Sequence, residues 1–188
     1  AKLSLEENIE MTRATVAYAR GADQQVLVEG ELGYIGTSSK LLDTLPEGVA
    51  VTEETMTSPE ELSRFIAETG VDLIAPAVGN IHGIVATGQP RLSITRINAL
   101  VEASSVPIVL HGGSGTSDED FSLAVKAGIR MIHINTEIRL AYRKGIEASL
   151  AEDPKEVAPY RFLAGGAQAV EDIVYERLMV FAGKVFGV

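Results

Sequence analysis

A chain of 188 residues with 46% apolar and 5% aromatic side chains, 18 glycines and no tryptophan suits one α/β domain built on Val, Ile, Leu and Ala. A formal charge of −10 excludes a nucleic-acid binder, which needs a basic footprint, but not a small phosphorylated ligand held by a few local amides. The absence of cysteine excludes disulfides, thiolate nucleophiles and Cys-ligated zinc, so a transition metal must be held by His, Asp or Glu.

Along the chain, Ser4 with Glu7 reads as a capped helix start. The first apolar strand, Val26–Glu31, carries Glu29 and Glu31 in alternation, so both carboxylates point to the same side. Two inward carboxylates are costly unless paired, which predicts a metal or a buried arginine beside them. Residues 33–57 show no periodicity and are either a functional lid or an ordinary surface excursion. Ser58, Pro59 and Glu61 then cap a second helix.

Three further strands are predicted over Val71–Ala77, Val106–His111 and Ile129–Ile134. Ser117 with Asp120 opens the helix between the last two. Alternation of strands and helices implies βαβ units and a parallel sheet. After Asn135 and Thr136 the chain reads as two helices, near 137–151 and 167–186, the second with an apolar face through Val170, Ile173, Val174 and Phe181. No linker or repeat divides the chain, so one domain over 1–188 is expected. No apolar stretch reaches the ~18–20 residues that span a bilayer and no signal-peptide pattern opens the chain, which predicts a cytoplasmic protein with no membrane partner.

The only histidines, His82, His111 and His133, each close an apolar strand run. In parallel sheets the carboxyl ends of strands are where ligands and metals are held. Gly83 follows His82, and Gly112-Gly113-Ser114-Gly115 follows His111, leaving backbone that a ligand can approach closely. Neutral imidazoles from neighbouring strands with an open coordination position suit catalytic zinc. The Gly112–Gly115 turn can cradle phosphate oxygens through its amides and the Ser114 hydroxyl, or be a flexible turn. Asn135 and Thr136 can bind the same anion, or be a plain helix cap.

The segments Leu3-Ser-Leu-Glu-Glu-Asn-Ile-Glu-Met-Thr12, Val28-Glu-Gly-Glu-Leu-Gly33, Thr57-Ser-Pro-Glu-Glu61, Ala77-Val-Gly-Asn-Ile-His-Gly83, Val109-Leu-His-Gly-Gly-Ser-Gly115 and Ile134-Asn-Thr-Glu137 together resemble the class II, metal-dependent fructose-bisphosphate aldolases over essentially the whole chain. The resemblance implies a (β/α)₈ TIM barrel, of which this chain supplies about the last four βα units plus the carboxyl-terminal helices. It implies Zn²⁺ polarising the carbonyl of dihydroxyacetone phosphate and stabilising its enediolate, with a monovalent cation (Na⁺ or K⁺) near the same loops. His82 and His111 would be zinc ligands. Glu31 would be an alternative-site or neighbouring metal carboxylate, and a candidate catalytic group. Gly83, Gly112, Gly113, Ser114, His133, Asn135 and Thr136 would contact a phosphorylated sugar. A third histidine and a proton-transferring aspartate would come from an amino-terminal half-barrel, and homo-oligomerisation is expected.

Departures from the family pattern are visible. The stretch Gly36-Thr-Ser-Ser-Lys40 stands where relatives carry Gly-Gly and two acids, His133 stands where an asparagine is usual, and Tyr160 stands where an arginine grips the distal phosphate. These departures keep two other readings open: a non-catalytic phosphate-binding scaffold or regulatory subunit, and a metal-dependent hydrolase using all three histidines. A Schiff-base aldolase is disfavoured because none of the six lysines follows a strand run.

Overall fold

The structure, a computed structural model, describes residues 3–184. Its contacts divide the chain into two compact units, 1–133 and 134–188.

In the first unit, helix α1 (Leu5–Ala22) leads into strand β1 (Glu29–Leu32), and after a short strand β2 (Leu41–Leu42) comes helix α2 (Pro59–Thr69). Strand β3 (Leu73–Pro76) is followed by a second short strand β4 (Ile84–Val85) and helix α3 (Ile94–Ala103). Strand β5 (Val109–Leu110), helix α4 (Asp118–Ala127) and strand β6 (Met131–Ile132) complete it. β1 pairs in parallel with β3, with Glu31 opposite Ala75. A parallel bridge between Ile74 and Ile108 carries the array on to β5, which pairs in parallel with β6. The predicted parallel order of four strands is therefore present, each ladder shorter than its apolar run. Hydrophobicity reports burial, and Val71, Ala77 and Val78 are buried beside β3 without extending its ladder.

The caps follow the sequence. Ser4 with Glu7 and Ser58 with Glu61 form reciprocal capping boxes, and the Ser117 hydroxyl accepts from the Asp120 amide. Helices α1 and α2, α2 and α3, and α3 and α4 pack as neighbours. Phe65, Leu62, Ile97, Leu100 and Phe121 from the helices meet Ile74, Val109 and Leu110 from the strands, all inaccessible to solvent. Phe65 lies so close to β1 that a Cβ on Gly30 would stand 2.6 Å from its ring.

The aperiodic stretch 33–57 is pinned rather than loose. β2 pairs in parallel with β4, and Leu42 and Tyr34 pack on a small satellite core of Val49, Ile81 and Val85. The buried Thr57 hydroxyl donates to the Leu32 carbonyl at 2.9 Å and accepts from the Ala77 amide at 2.9 Å. Arg96 donates to the Glu53 carbonyl at 2.8 Å, to its carboxylate at 3.0 Å, and to the Thr57 carbonyl at 3.1 Å.

The second unit holds helices α5 (Thr136–Glu152) and α6 (Pro159–Phe181), packed antiparallel. Arg177 donates to Glu137 at 2.8 Å near one end. In the middle, a Cβ on Gly145 would stand 2.3 Å from the Gly165 carbonyl oxygen. α6 begins eight residues before the expected 167, because Gly165-Gly166 is a close crossing point rather than a break. Residues 185–186 of the expected helix lie outside the described residues. Among the described residues no helix is long and apolar enough to cross a membrane.

Candidate metal centre

β1 presents Glu29 and Glu31 towards the exit of β5. Glu31 stands opposite Ala75 of the neighbouring β3, and Glu31, Ala75 and His111 line a common cavity of about 120 Å³. His111, with its side chain 11% exposed, stands between the two carboxylates. Nδ1 is 2.9 Å from Glu31 Oε1, and Nε2 is 2.6 Å from Glu29 Oε1. The Nδ1 contact is a hydrogen bond that holds the Glu31 carboxyl below its ordinary range and raises His111. The Nε2 contact is an ion-pair contact rather than an aligned hydrogen bond, and the Glu29 charge raises His111 further.

The other histidines flank this ring. His133 stacks on it, with centroids 4.6 Å apart and planes inclined by 25°, and His82 lies tilted with its centroid 6.1 Å away. Burial first, and the charge of His111 second, lower the pKa of His82, which keeps its ring neutral and its lone pair available. Among the described residues, Glu29, His111 and His133 place one ligand atom each within 4.8 Å of one another. Two imidazoles and a carboxylate as a donor set fit a divalent transition metal such as zinc.

Glu29 and Glu31 do share a side of β1, with His111 between them and no arginine, but only Glu29 is inward: the Glu31 side chain is 56% exposed, because β1 ends at the rim. His82, His111, His133 and Glu31 are brought together. Glu29, which the strand alternation placed on the same side, joins them by direct contact with His111; its pairing with a residue 82 positions away has no local signal.

The glycine loops are held by the fold. Gly83 has φ +94°, and a Cβ there would stand 2.7 Å from the Lys40 carbonyl oxygen, so this glycine admits the 38–42 backbone. Gly112, at φ +62°, lies against the Ile81 carbonyl. The Gly113 amide donates to the His133 carbonyl at 3.3 Å, tying the exits of β5 and β6, and Ser114 is buried. Asn135 and Thr136 open α5 in the second unit, Asn135 at its N-cap position.

Two amide side chains that sequence reasoning missed join the histidine loops. Buried Asn80 accepts from the Val78 amide at 2.8 Å and donates to the His111 carbonyl at 2.9 Å. Half-buried Gln89 accepts from the Val85 amide at 2.9 Å and donates to the carbonyls of Gly83 and Ser114 at 3.0 and 2.8 Å. Removing Asn80 leaves a buried donor and acceptor unpaired, so Asn80→Ala is expected to lower stability by about 2–3 kcal/mol, measured by urea denaturation.

The chain matches known proteins throughout its length. It is 32% identical over 179 residues to fructose-bisphosphate aldolase from Geobacillus stearothermophilus, covering 95% of this chain and 59% of that protein. It is 35% identical over 185 residues to 6-phospho-5-dehydro-2-deoxy-D-gluconate aldolase from Shouchella clausii, covering 97% and 59%. The crystal structure of the YdjI aldolase from Escherichia coli K12 superposes with a TM-score of 0.74 at 30% identity, covering 95% of this chain and 57% of that one. The chain therefore spans about three-fifths of the length of the curated relatives it matches. The profile described as "Fructose-bisphosphate aldolase class-II" matches residues 1–184, and the chain belongs to that family.

Proposed function

We propose that the protein containing this chain is a zinc-dependent aldolase that cleaves or forms a ketose 1,6-bisphosphate, fructose 1,6-bisphosphate being interconverted with dihydroxyacetone phosphate and glyceraldehyde 3-phosphate. The observation that carries this reading is the cluster around His111, whose buried ring stands between the Glu29 and Glu31 carboxylates with His82 and His133 beside it. His82 and His111 would hold the zinc, and Glu31 would orient His111 or share the ion. When bound, the ion supplies Lewis-acid polarisation of a carbonyl adjacent to the carbon–carbon bond.

The rest is done by the chain. Gly83, Gly112, Gly113 and Ser114 would fix a phosphate, and that binding orients the carbonyl end at the metal centre. Curated relatives named for fructose bisphosphate and for a phosphorylated gluconate derivative share the phosphoryl group, which supports a phosphorylated substrate. We read residues 1–188 as one domain, the carboxyl-terminal portion of a (β/α)₈ barrel completed by an amino-terminal half, in a cytoplasmic homo-oligomer with a monovalent cation at the phosphate loops.

The intact protein is expected to turn over fructose 1,6-bisphosphate in a coupled assay, to lose at least about 10³-fold of its rate on chelation, and to regain it with Zn²⁺. Borohydride added with substrate is expected to leave it active. Turnover that persists without metal, or a covalent adduct trapped by borohydride, would overturn the proposal.

A further inference from the structure

We propose that Gln89 is a positioning residue for substrate phosphate: its side-chain amide holds the Gly83 and Ser114 carbonyls together and so sets the shape of the Gly112–Gly115 turn. The proposal rests on the reading of that turn as a phosphate seat. It assigns a role to a side chain outside the metal ligands and outside the turn itself.

Three observations carry it. The first is that the whole amide is committed to backbone. Gln89 Oε1 accepts from the Val85 amide at 2.9 Å, while Nε2 donates to the Gly83 carbonyl at 3.0 Å and to the Ser114 carbonyl at 2.8 Å, so one orientation of the side chain serves all three groups. The second is that room is kept for it. Gly115 has φ +83°, and a Cβ there would stand 2.9 Å from Gln89 Cγ. The third is that the backbone on both sides is anchored. Before Gln89, the Gly88 amide donates to the Val85 carbonyl at 3.0 Å, in a turn that Gly88 enters at φ +109°. After it, the Leu92 amide donates to the buried Asp120 carboxylate at 3.3 Å and Arg91 reaches the same carboxylate at 2.8 Å. Asp120 lies in the first turn of α4, the helix that follows the glycine turn, so the Gln89 segment and the turn share an anchor.

A peptide unit is planar and trans, so holding its carbonyl fixes the direction of the amide that follows. The bond to Ser114 therefore orients the Gly115 amide, and the Thr116 amide closes the turn on the Gly113 carbonyl at 3.1 Å. A turn set in advance loses little freedom when an anion binds. Without Gln89 two carbonyls lose a donor, and the peptide between Ser114 and the permissive Gly115 is released. The histidines are held by other bonds. The His82 amide donates to the Ile35 carbonyl at 2.8 Å, and the His111 carbonyl accepts from Asn80 at 2.9 Å.

The test uses the intact protein loaded with Zn²⁺, titrated with dihydroxyacetone phosphate by calorimetry. Gln89→Met keeps the length of the side chain without donor or acceptor, whereas Gln89→Glu keeps the acceptor for the Val85 amide and removes the donor. Both are expected to raise the Kd of the probe by about 10- to 100-fold, with KM for fructose 1,6-bisphosphate rising alongside, while zinc content by atomic absorption stays at the wild-type level. An unchanged Kd in Gln89→Met would overturn the inference, because weakening in Gln89→Glu alone would be charge repulsion. Zinc lost together with the probe would also overturn it, since Gln89 would then support the metal centre or the fold at large. Both of those outcomes leave the aldolase reading standing. A zinc-loaded wild type that fails to bind dihydroxyacetone phosphate would overturn that reading, and this inference with it.

Discussion

His111→Ala in the intact protein is expected to abolish zinc retention and to lower kcat/KM by at least about 10³-fold, because Lewis-acid stabilisation worth several kcal/mol is lost with the metal. The effect should exceed that of any other single histidine. His82 and His133 each meet the centre from one side, whereas His111 touches Glu31 through one nitrogen and Glu29 through the other. Removing its ring withdraws the partner of both carboxylates, and Glu29, with its side chain 21% exposed, is left facing a partly buried void. Metal content by atomic absorption and activity in the coupled assay check the first effect; urea denaturation at neutral pH checks the second. Full zinc occupancy in the variant would show that the metal centre is elsewhere.

The second large effect is expected at Gly112. Its φ of +62° lies in the left-handed region, which costs a side-chain-bearing residue roughly 1–2 kcal/mol. A Cβ would also stand 2.3 Å from the Ile81 carbonyl oxygen and 3.1 Å from the His82 nitrogen, both backbone atoms that cannot turn aside. Forcing such contacts apart adds about 1–3 kcal/mol, so Gly112→Ala should lose about 3 kcal/mol or more and displace His82 from His111. Gly113→Ala is the control. Its φ is not positive, and its nearest contacts are 3.3 Å, so a loss near 1 kcal/mol is expected. Urea denaturation of the two variants measures the difference, and equal stability would refute the steric account.

The parts of this fold that could be read from sequence are those governed by neighbours in the chain. Ser58 with Pro59 and Glu61 announces a helix start because cap and capped amide are three residues apart. The strand exits at His111 and His133 are legible because an apolar run stops and glycine or a polar group follows, whereas His82, expected to close a strand, lies in the loop after β3, because the buried run continues past Pro76 without laddering. The pairing of Glu29 with His111, the stacking of His133 on that ring, and the bridges from Asn80 and Gln89 depend on distant segments meeting, and no local pattern encodes them. The short pairing of β2 with β4 was hidden for a related reason: two-residue ladders have no periodicity to detect. At Gly165 and Gly166 the local signal misled, since a helix interior accepts glycine where a second helix crosses against it.

Gln89 is bonded at once to the carbonyl of Gly83 after one histidine and to that of Ser114 after another, while Asn80 ties the first loop to the His111 carbonyl. The two loops therefore behave as a single exchangeable cassette. Transplanting residues 78–91 from a relative with a different substrate, without residues 111–116 from the same donor, would put at stake the two bonds that cross between the segments, Asn80 to the His111 carbonyl and Gln89 to the Ser114 carbonyl, and misalign both imidazoles. Altered specificity in this lineage should be reached by replacing both segments together.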